Sequence, residues 1–453
     1  MTALVLAAGE GKRMRSRTAK VLHKVNGRAM IDHVLSALAL CPIDAVLVVT
    51  GHDAESVEKH LAGRAVCVRQ TEQLGTAHAV MQARELLVGK PGHVIVLCGD
   101  TPLLRASTLQ DFVQRHVESG AAASVLTAEV PNPFGYGRIL RNAMGQISKI
   151  VEEADADPAT KAIREINAGI YCFQIPPLLS ALDSITTDNE QGEYYLTDVI
   201  PIMLDSGLPV AAKKVNDAEE ILGVNNRRQL AAAEQIMRQR TLDGLMDAGV
   251  TIIDPAHTYV QAGVQVGQDT VLYPGTILEG ETVIGRDCQI GPGVRLIDCH
   301  VGDQCRLEQL LAIESVLGNG VTAGPFTYLR PGTRLGDEVK IGGFVEVKNS
   351  RVGEKSKIPH LSYVGDADIG AGVNIGAGVI VVNYDGKTKH RTIIEDGAFV
   401  GCNVNLVAPV TVGRGAYVAA GSTVTRDVAP GSLAIARARQ ETKKDWARKF
   451  RHR

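Results

Sequence analysis

The chain has 453 residues, 45% of them apolar and 22% charged, a composition that suits two or three globular domains and excludes a disordered or peptide-like molecule. Its 48 Lys plus Arg are balanced by 50 Asp plus Glu, so no overall positive field would attract nucleic acid or an anionic membrane, and any anionic partner must be held locally. Glycine is abundant, at 47 residues, while aromatic residues make up only 4%, which points to a part of the chain that relies on tight backbone packing rather than large rings.

The opening run, residues 2–8, is apolar but far too short to span a bilayer, and it reads as a buried strand. Residues 45–50, 65–69 and 93–98 read the same way, and between them Met30, Ile31, Val34, Leu35 and Leu38 recur at helical spacing. This alternation over residues 1–226 predicts a Rossmann-like α/β domain, a parallel sheet covered by helices. Residues 227–249, rich in Ala, Gln, Glu, Arg and Leu, predict a linking helix. The eight cysteines are scattered, form no CxxC pair and accompany no secretory apolar segment, so a reducing, cytoplasmic setting is expected.

Beyond Val250 the pattern changes. Val266, Leu272, Leu278, Ile284, Ile290 and Leu296 fall six apart, as do Ile394, Val400, Leu406, Val412, Val418 and Val424, with shorter runs between (Val352, Ile358, Val364; Ile369, Ile375, Val381). A six-residue period fits neither a helix face nor strand alternation, but it is the signature of a hexapeptide parallel β-helix, with three short strands per coil of roughly eighteen residues. A Gly-rich β-sandwich would not hold that register. Residues 250–436 are therefore expected to form about ten such coils, with aliphatic side chains inside and small residues at the corners. Val381 and Ile394 are thirteen apart rather than twelve, which predicts an inserted loop. The basic tail, residues 437–453, reads either as a solvated end or as a contact for a ligand phosphate.

In the first domain the turn Ala8-Gly9-Glu10-Gly11-Lys12-Arg13-Met14 follows the first strand and can aim backbone N–H groups and positive charge at phosphates. It is neither a dinucleotide fingerprint nor a P-loop. Lys20 follows it, Gln70 to Thr76 follow another strand, and Gly99-Asp100 end the strand at 93–98. An aspartate at the carboxyl end of a central strand lies where α/β sheets bind ligands and suits a metal, with helix capping as the alternative. In the repeat region Arg330, Lys348, His360, Tyr363, Asn374, Asn383, Tyr384 and Lys389 gather polar chemistry that a solenoid surface does not require.

The motifs LAAGEGKRM, QLGT, GD at 99–100, GYGR at 135–138, Val151-Glu152, Glu165-Ile166-Asn167 and GVNN at 223–226, followed by FTYLRPG, FVEVK, PHLSYVGD, NIGAG and NYDG in the repeats, resemble a bacterial bifunctional family. That family is N-acetylglucosamine-1-phosphate uridylyltransferase / glucosamine-1-phosphate N-acetyltransferase, and the resemblance covers essentially the whole chain. It implies a left-handed β-helix, cytoplasmic homotrimers, and synthesis of UDP-N-acetylglucosamine from glucosamine 1-phosphate, acetyl-CoA and UTP with Mg²⁺. The product would feed peptidoglycan and lipopolysaccharide precursors.

By the same resemblance Leu6, Ala7, Ala8 and Gly9 would line the nucleotide, Arg13 and Lys20 would contact phosphates, and Gln70, Gly75 and Thr76 would read the uracil. Gly137, Glu152 and Asn167 would hold the sugar, and Asp100 and Asn225 the Mg²⁺. Cys98 stands where relatives often have Tyr, which removes a phenol from that wall. In the second domain His360 would be the general base, an imidazole being suited to neutral pH, with Arg330 and Lys348 clamping the sugar phosphate and Tyr363 and Asn374 orienting the sugar. Acetyl-CoA would meet Ala377, Asn383, Tyr384, Cys402, Ala420 and Arg437; Cys402 replaces the family's usual serine and donates a hydrogen bond weakly. Two other readings compete: a single-activity nucleotidyltransferase with a purely structural β-helix, and a silent assembly subunit.

Overall fold

The computed structural model describes residues 1–450, so the last three residues of the basic tail lie outside the described residues. The chain divides into two compact units, Met1–Met237 and a second one from Arg238 onward.

In the first unit seven strands form the main path of the sheet: β1 (Thr2–Ala7), β2 (Ala45–Thr50), β3 (Val66–Arg69), β4 (His93–Cys98), β5 (Ala123–Glu129), β6 (Glu165–Gln174) and β7 (Val210–Lys214). Their order is β7-β5-β6-β4-β1-β2-β3, and β1 lies between β2 and β4 with both partners parallel. Side chains alternate across β1, Ala3, Val5 and Ala7 entering one core and Leu4 the other, so a strand covered on both faces must be apolar at every position. Two expectations need correction. The first strand ends at Ala7, where Ala8 O instead accepts from the His52 N–H at 3.3 Å, and the third begins at Val66. The sheet is also mixed: β6 runs antiparallel to β4 and β5, a reversal that a buried apolar run does not announce.

The predicted helix is present as Arg227–Asp247. It does not form a separate linker, for the boundary between the units falls within it. Leu230, Ala233, Ile236 and Met237 pack with Val25, Met30, Leu103 and Val224 of the first unit, while Leu242 and Leu245 belong to the core of the second.

In the second unit the described residues form three parallel sheets of 11, 10 and 9 short strands. The chain visits them in strict rotation: Val266, Leu272 and Leu278 lie on three different faces, and Ile284 returns to the first of these. The six-spaced aliphatic residues point inward and are buried throughout, except for the partly covered Val266. A second buried series lies two positions earlier at the corners, where Thr270, Thr276 and Thr282 satisfy backbone carbonyls. Cys288, Cys299 and Cys305 occupy the same corner positions and direct their thiols at carbonyls in the same way, which accounts for three of the eight cysteines structurally.

The inserted loop is where the spacing placed it. Asn374 pairs with Phe399, twenty-five positions on, whereas Phe399 pairs with Tyr417 eighteen positions on. The surplus is a hairpin closed by a Tyr384–Lys389 bridge, with the Asp385 carboxylate accepting from Lys387 and Thr388 N–H groups at 2.8 and 2.7 Å.

Candidate active sites

In the first unit the carboxyl ends of β1 and β4 open into a cavity of about 430 Å³, lined by Leu6 through Gly9, Lys20, Gln70, Gly75, Thr76, Cys98 and Asp100. A second cavity of about 230 Å³ shares Leu6, Thr76, Cys98 and Asp100 with it and adds Gly137, Glu152, Asn167 and Asn225. The two cavities thus meet along Leu6, Thr76, Cys98 and Asp100, of which Asp100 is the one carboxylate. Gly99 N–H donates to Leu6 O at 2.9 Å, which holds the end of β4 against β1, and Val224 N–H donates to Asp100 O at 2.9 Å, which brings Asn225 alongside. No side chain stands within reach above Gly9, leaving its backbone open toward the cavity.

Lys20 Nζ pairs with Asp100 Oδ2 and donates to Asn225 Oδ1 at 3.1 Å. Two oxygens from distant parts of the chain therefore converge on one cationic point. A carboxylate plus an amide oxygen is a fitting donor set for Mg²⁺, which prefers hard oxygens and completes its shell with water and substrate phosphate. Among the described residues no cluster of three or more His, Cys, Asp or Glu competes for that role.

Gln70 is buried, its amide fixed by Gly75 O at 3.2 Å and His78 Nδ1 at 3.0 Å, so it presents a set orientation. Gly75 has φ +113°, and a Cβ there would lie 2.5 Å from Tyr194 O, inside any tolerable contact. Gly75→Ala is therefore expected to destabilise this wall by about 1–3 kcal/mol; a thermal melt checks it. Asn167 donates from Nδ2 to Tyr171 Oη at 2.6 Å, and its N–H reaches Gly137 O at 2.8 Å.

Glu152 accepts from Thr197 Oγ1 at 3.2 Å, and burial raises its carboxyl above the ordinary range, with Asp155 and Asp198 adding to the shift. A carboxyl raised by folding stabilises the fold below its unfolded pKa, and that contribution is lost as pH rises through the folded value. Glu152→Gln is thus expected to melt higher than the parent at neutral pH, the difference vanishing in acid. Melts across pH read the effect.

Arg13 is not brought into either cavity. The short turn Lys12–Met14 buries Met14 and leaves Arg13 exposed, and the loop cation lining the larger cavity is instead Lys12, which is paired with Glu10 at 2.9 Å. Burial pushes the Cys98 thiol up to about 12, so it remains a neutral thiol, donating to Gly169 O at 3.8 Å.

In the second unit three of the predicted polar residues, Lys348, Asn383 and Lys389, act on one carboxylate that the sequence reading did not single out, Asp366. It accepts from Asn349 Nδ2 at 2.6 Å and Asn383 Nδ2 at 2.5 Å, and Lys348 Nζ lies 3.9 Å away. Burial works to raise Asp366, but those two amides and the Lys348 and Lys389 ammoniums hold it below the usual carboxylate range. Lys348 in turn is lowered by adjacent Lys389 and by burial, against the pull of Asp366. The Tyr363 hydroxyl lies over Gly365, where a Cβ would come within 2.4 Å of it. Arg330 donates to Glu346 at 2.8 Å.

His360 is exposed at the end of its strand, and its imidazole makes no hydrogen bond to the described residues. Successive coils link its corner to the predicted coenzyme contacts: Gly378 N–H donates to His360 O, Asn403 N–H to Ala377 O and Gly421 N–H to Cys402 O, at 3.3, 2.7 and 2.9 Å. Ala420 adjoins the last of these, and the Arg437 chain lies against Gly421. One prism edge therefore carries His360, Ala377, Cys402, Ala420 and Arg437 at steps of about 4.8 Å. Tyr384 stands 56% exposed on the hairpin. Asn374 lies one coil on in the same sheet as the His360 strand, paired with Lys357, its side chain free of hydrogen bonds to the described residues.

Two family descriptions match the chain: Nucleotidyl transferase over residues 2–221 and Bacterial transferase hexapeptide (six repeats) over residues 391–426. Proteins named "Bifunctional protein GlmU" are similar along nearly its whole length. Those of Geobacillus sp. (strain WCH70) and Heliobacterium modesticaldum are each 53% identical, covering 98% of this chain and 97% of their own. That of Listeria monocytogenes serotype 4b (strain CLIP80459) is 48% identical over 99% of this chain and 98% of its own. The chain belongs to the GlmU family.

As in the GlmU relatives, a nucleotidyltransferase domain and a hexapeptide transferase domain occupy one chain, so the protein is a bifunctional transferase. Within this GlmU-family scaffold the sequence reading gave no role to Asp366, Asn349, Glu346 and Thr197. Asp366 and Glu346 carried a trace, as members of the PHLSYVGD and FVEVK motifs.

Proposed function

We propose that the second unit transfers an acetyl group from acetyl-CoA to glucosamine 1-phosphate and the first joins the resulting N-acetylglucosamine 1-phosphate to UTP, releasing pyrophosphate and UDP-N-acetylglucosamine. The observation that carries this reading is the single prism edge that holds His360, Ala377, Cys402, Ala420 and Arg437 in line, the residues to which the resemblance gives the base and the coenzyme, since a purely structural β-helix has no use for it.

In the acetyl step His360 takes a proton from the sugar amine as its nitrogen attacks the thioester carbonyl; the C–N bond forms, the C–S bond breaks and the coenzyme leaves as its thiol form. Arg330 and Lys348 hold the sugar phosphate, Tyr363, Asn374 and Asn383 orient the sugar, and Asp366 keeps Asn383 and Lys348 in place. Ala377, Tyr384, Cys402, Ala420 and Arg437 seat the coenzyme. In the uridylyl step an oxygen of the sugar phosphate displaces pyrophosphate at the α-phosphorus of UTP, so the protein need supply only alignment and charge neutralisation. Leu6 to Gly9 and Lys20 seat the phosphates, Gln70, Gly75 and Thr76 the uracil, and Gly137, Glu152 and Asn167 the sugar. Mg²⁺, held by Asp100 and Asn225, would neutralise phosphate charge there. Arg13 would act from outside the cavity lining.

The second unit is proposed to work as a homotrimer. Phe326, Phe344 and Leu361 stack on successive coils beside His360, 56%, 63% and 61% exposed, and a second copy would cover them. Cytoplasmic residence suits these substrates; no helix among the described residues is long and apolar enough to cross a membrane.

Incubation with glucosamine 1-phosphate, acetyl-CoA, UTP and Mg²⁺ should yield UDP-N-acetylglucosamine, stopping at N-acetylglucosamine 1-phosphate when UTP is withheld. UDP-sugar formation only from pre-acetylated sugar phosphate would instead favour the single-activity enzyme.

A further inference from the structure

A further cavity of about 510 Å³ opens on the second unit, and of its lining only Asn349 touches the Asp366 cluster. Its lining is Gly332, Arg334, Asn349, Arg351, Asp368 and Arg391. Arg334 and Arg351 are paired in register on adjacent strands of one face, with Asp368 next in the same row. Their guanidiniums therefore start one coil, about 4.8 Å, apart. Like charges directly opposite on neighbouring strands repel. The one carboxylate in the lining does not relieve them by direct contact, because Arg391 engages it with both prongs of its fork, Nε to Oδ2 at 2.5 Å and Nη2 to Oδ1 at 2.6 Å. Arg334 and Arg351 make no hydrogen bond or ion pair to the described residues, so three cations face one anion across a cavity. Gly332 shapes the floor: a side chain there would press on Asn349, whose Oδ1 would lie 3.1 Å from its Cβ.

We propose that this cavity is a binding site for an oligophosphate anion, with Arg334 and Arg351 each taking one phosphoryl group through a guanidinium fork and Arg391, fixed by Asp368, forming the wall. Planar guanidiniums match phosphate oxygens bidentately, and two of them one coil apart suit two linked phosphoryl groups better than an isolated carboxylate. The net excess of two positive charges matches a diphosphate moiety. The phosphate and sugar contacts assigned to catalysis are made by other residues, so this site is additional to both reactions.

The test is calorimetric titration of the full chain with inorganic pyrophosphate in metal-free buffer, comparing wild type with the Arg334→Ala/Arg351→Ala double variant. Wild type should bind one more pyrophosphate per chain than the double variant, and Arg334→Lys/Arg351→Lys should bind that extra equivalent at least about 10-fold more weakly, because lysine retains charge but not the fork. Pyrophosphate bound by the uridylyl site appears equally in all three proteins, so the difference in stoichiometry isolates this cavity. Both transferase activities serve as the control for folding. Equal stoichiometry in wild type and double variant would overturn the proposal, as would a double variant that changes oligomeric state by light scattering without losing a pyrophosphate, which would make the arginines contacts between copies. A wild-type crystal soaked in tungstate provides a reading independent of any variant: density between Arg334 and Arg351 supports the site, and its absence with density elsewhere refutes it.

Discussion

Asp100→Asn is expected to lower UDP-sugar formation by at least about 10³-fold while leaving acetyl transfer at the parental rate, a loss of the size that follows removal of a buried charge-stabilising group. Asp100 is the carboxylate at which the two cavities meet, and it faces both Lys20 and Asn225. The amide of the variant keeps nearly the same shape and can still accept from Lys20, so the fold should survive. What disappears is the negative charge that holds a cation against the incoming phosphates. Separate assays, one following pyrophosphate and one following free coenzyme thiol, read the two effects on one preparation. Undiminished pyrophosphate release would remove Asp100 from the reaction, and a parallel fall in both activities would point to general misfolding.

The mirror result is expected for His360→Ala: acetyl transfer should fall by about 10²–10⁴-fold, the usual contribution of a positioned proton acceptor, with uridylyl transfer and oligomeric state unchanged. His360 is exposed at a strand end and its imidazole supports no neighbour, so little stability is at stake. The backbone carbonyl that receives Gly378 N–H belongs to any residue at that position, and the coil ladder is retained. A rate that falls in the variant but recovers as pH rises, where more of the amine is already unprotonated, would mark a base rather than a packing residue. An active variant at neutral pH would eliminate the assignment.

Much of this architecture was legible in the sequence because a β-helix repeats one decision many times: each inward aliphatic residue must recur on the next face or the core opens. The runs from Val266 to Leu296 and Ile394 to Val424 kept a strict six-residue step, and both are stacked as expected. Between them the step contracts to five at Val301, Ala312, Leu317, Val352 and Ile369, so the register seemed broken where the prism merely has a tighter corner. The strands of the first unit were readable from apolar content, but direction was not, since the antiparallel β6 is as apolar as the parallel strands of the sheet. Glycine-bearing turns and strand-end carboxylates marked residues that the structure gathers along the two cavities of the first unit. Asp366 did not stand out because a buried carboxylate is recognisable only by the amides and ammoniums around it, and these come from other coils. Arg13 lies outside both cavity linings for the opposite reason: its charge is visible in the sequence, but the direction imposed by a buried Met14 is not.

The rotation of strands among three faces has a bearing on how such a protein can vary. Because each turn of the prism touches only the turn before and after it, a whole turn can be duplicated or excised and every remaining side chain keeps its phase, whereas a fraction of a turn throws the rest out of step. The length of this domain is thus quantised, and natural or engineered variants should differ by complete windings away from the His360 edge, with partial insertions surviving only as outward hairpins like the one that carries Tyr384.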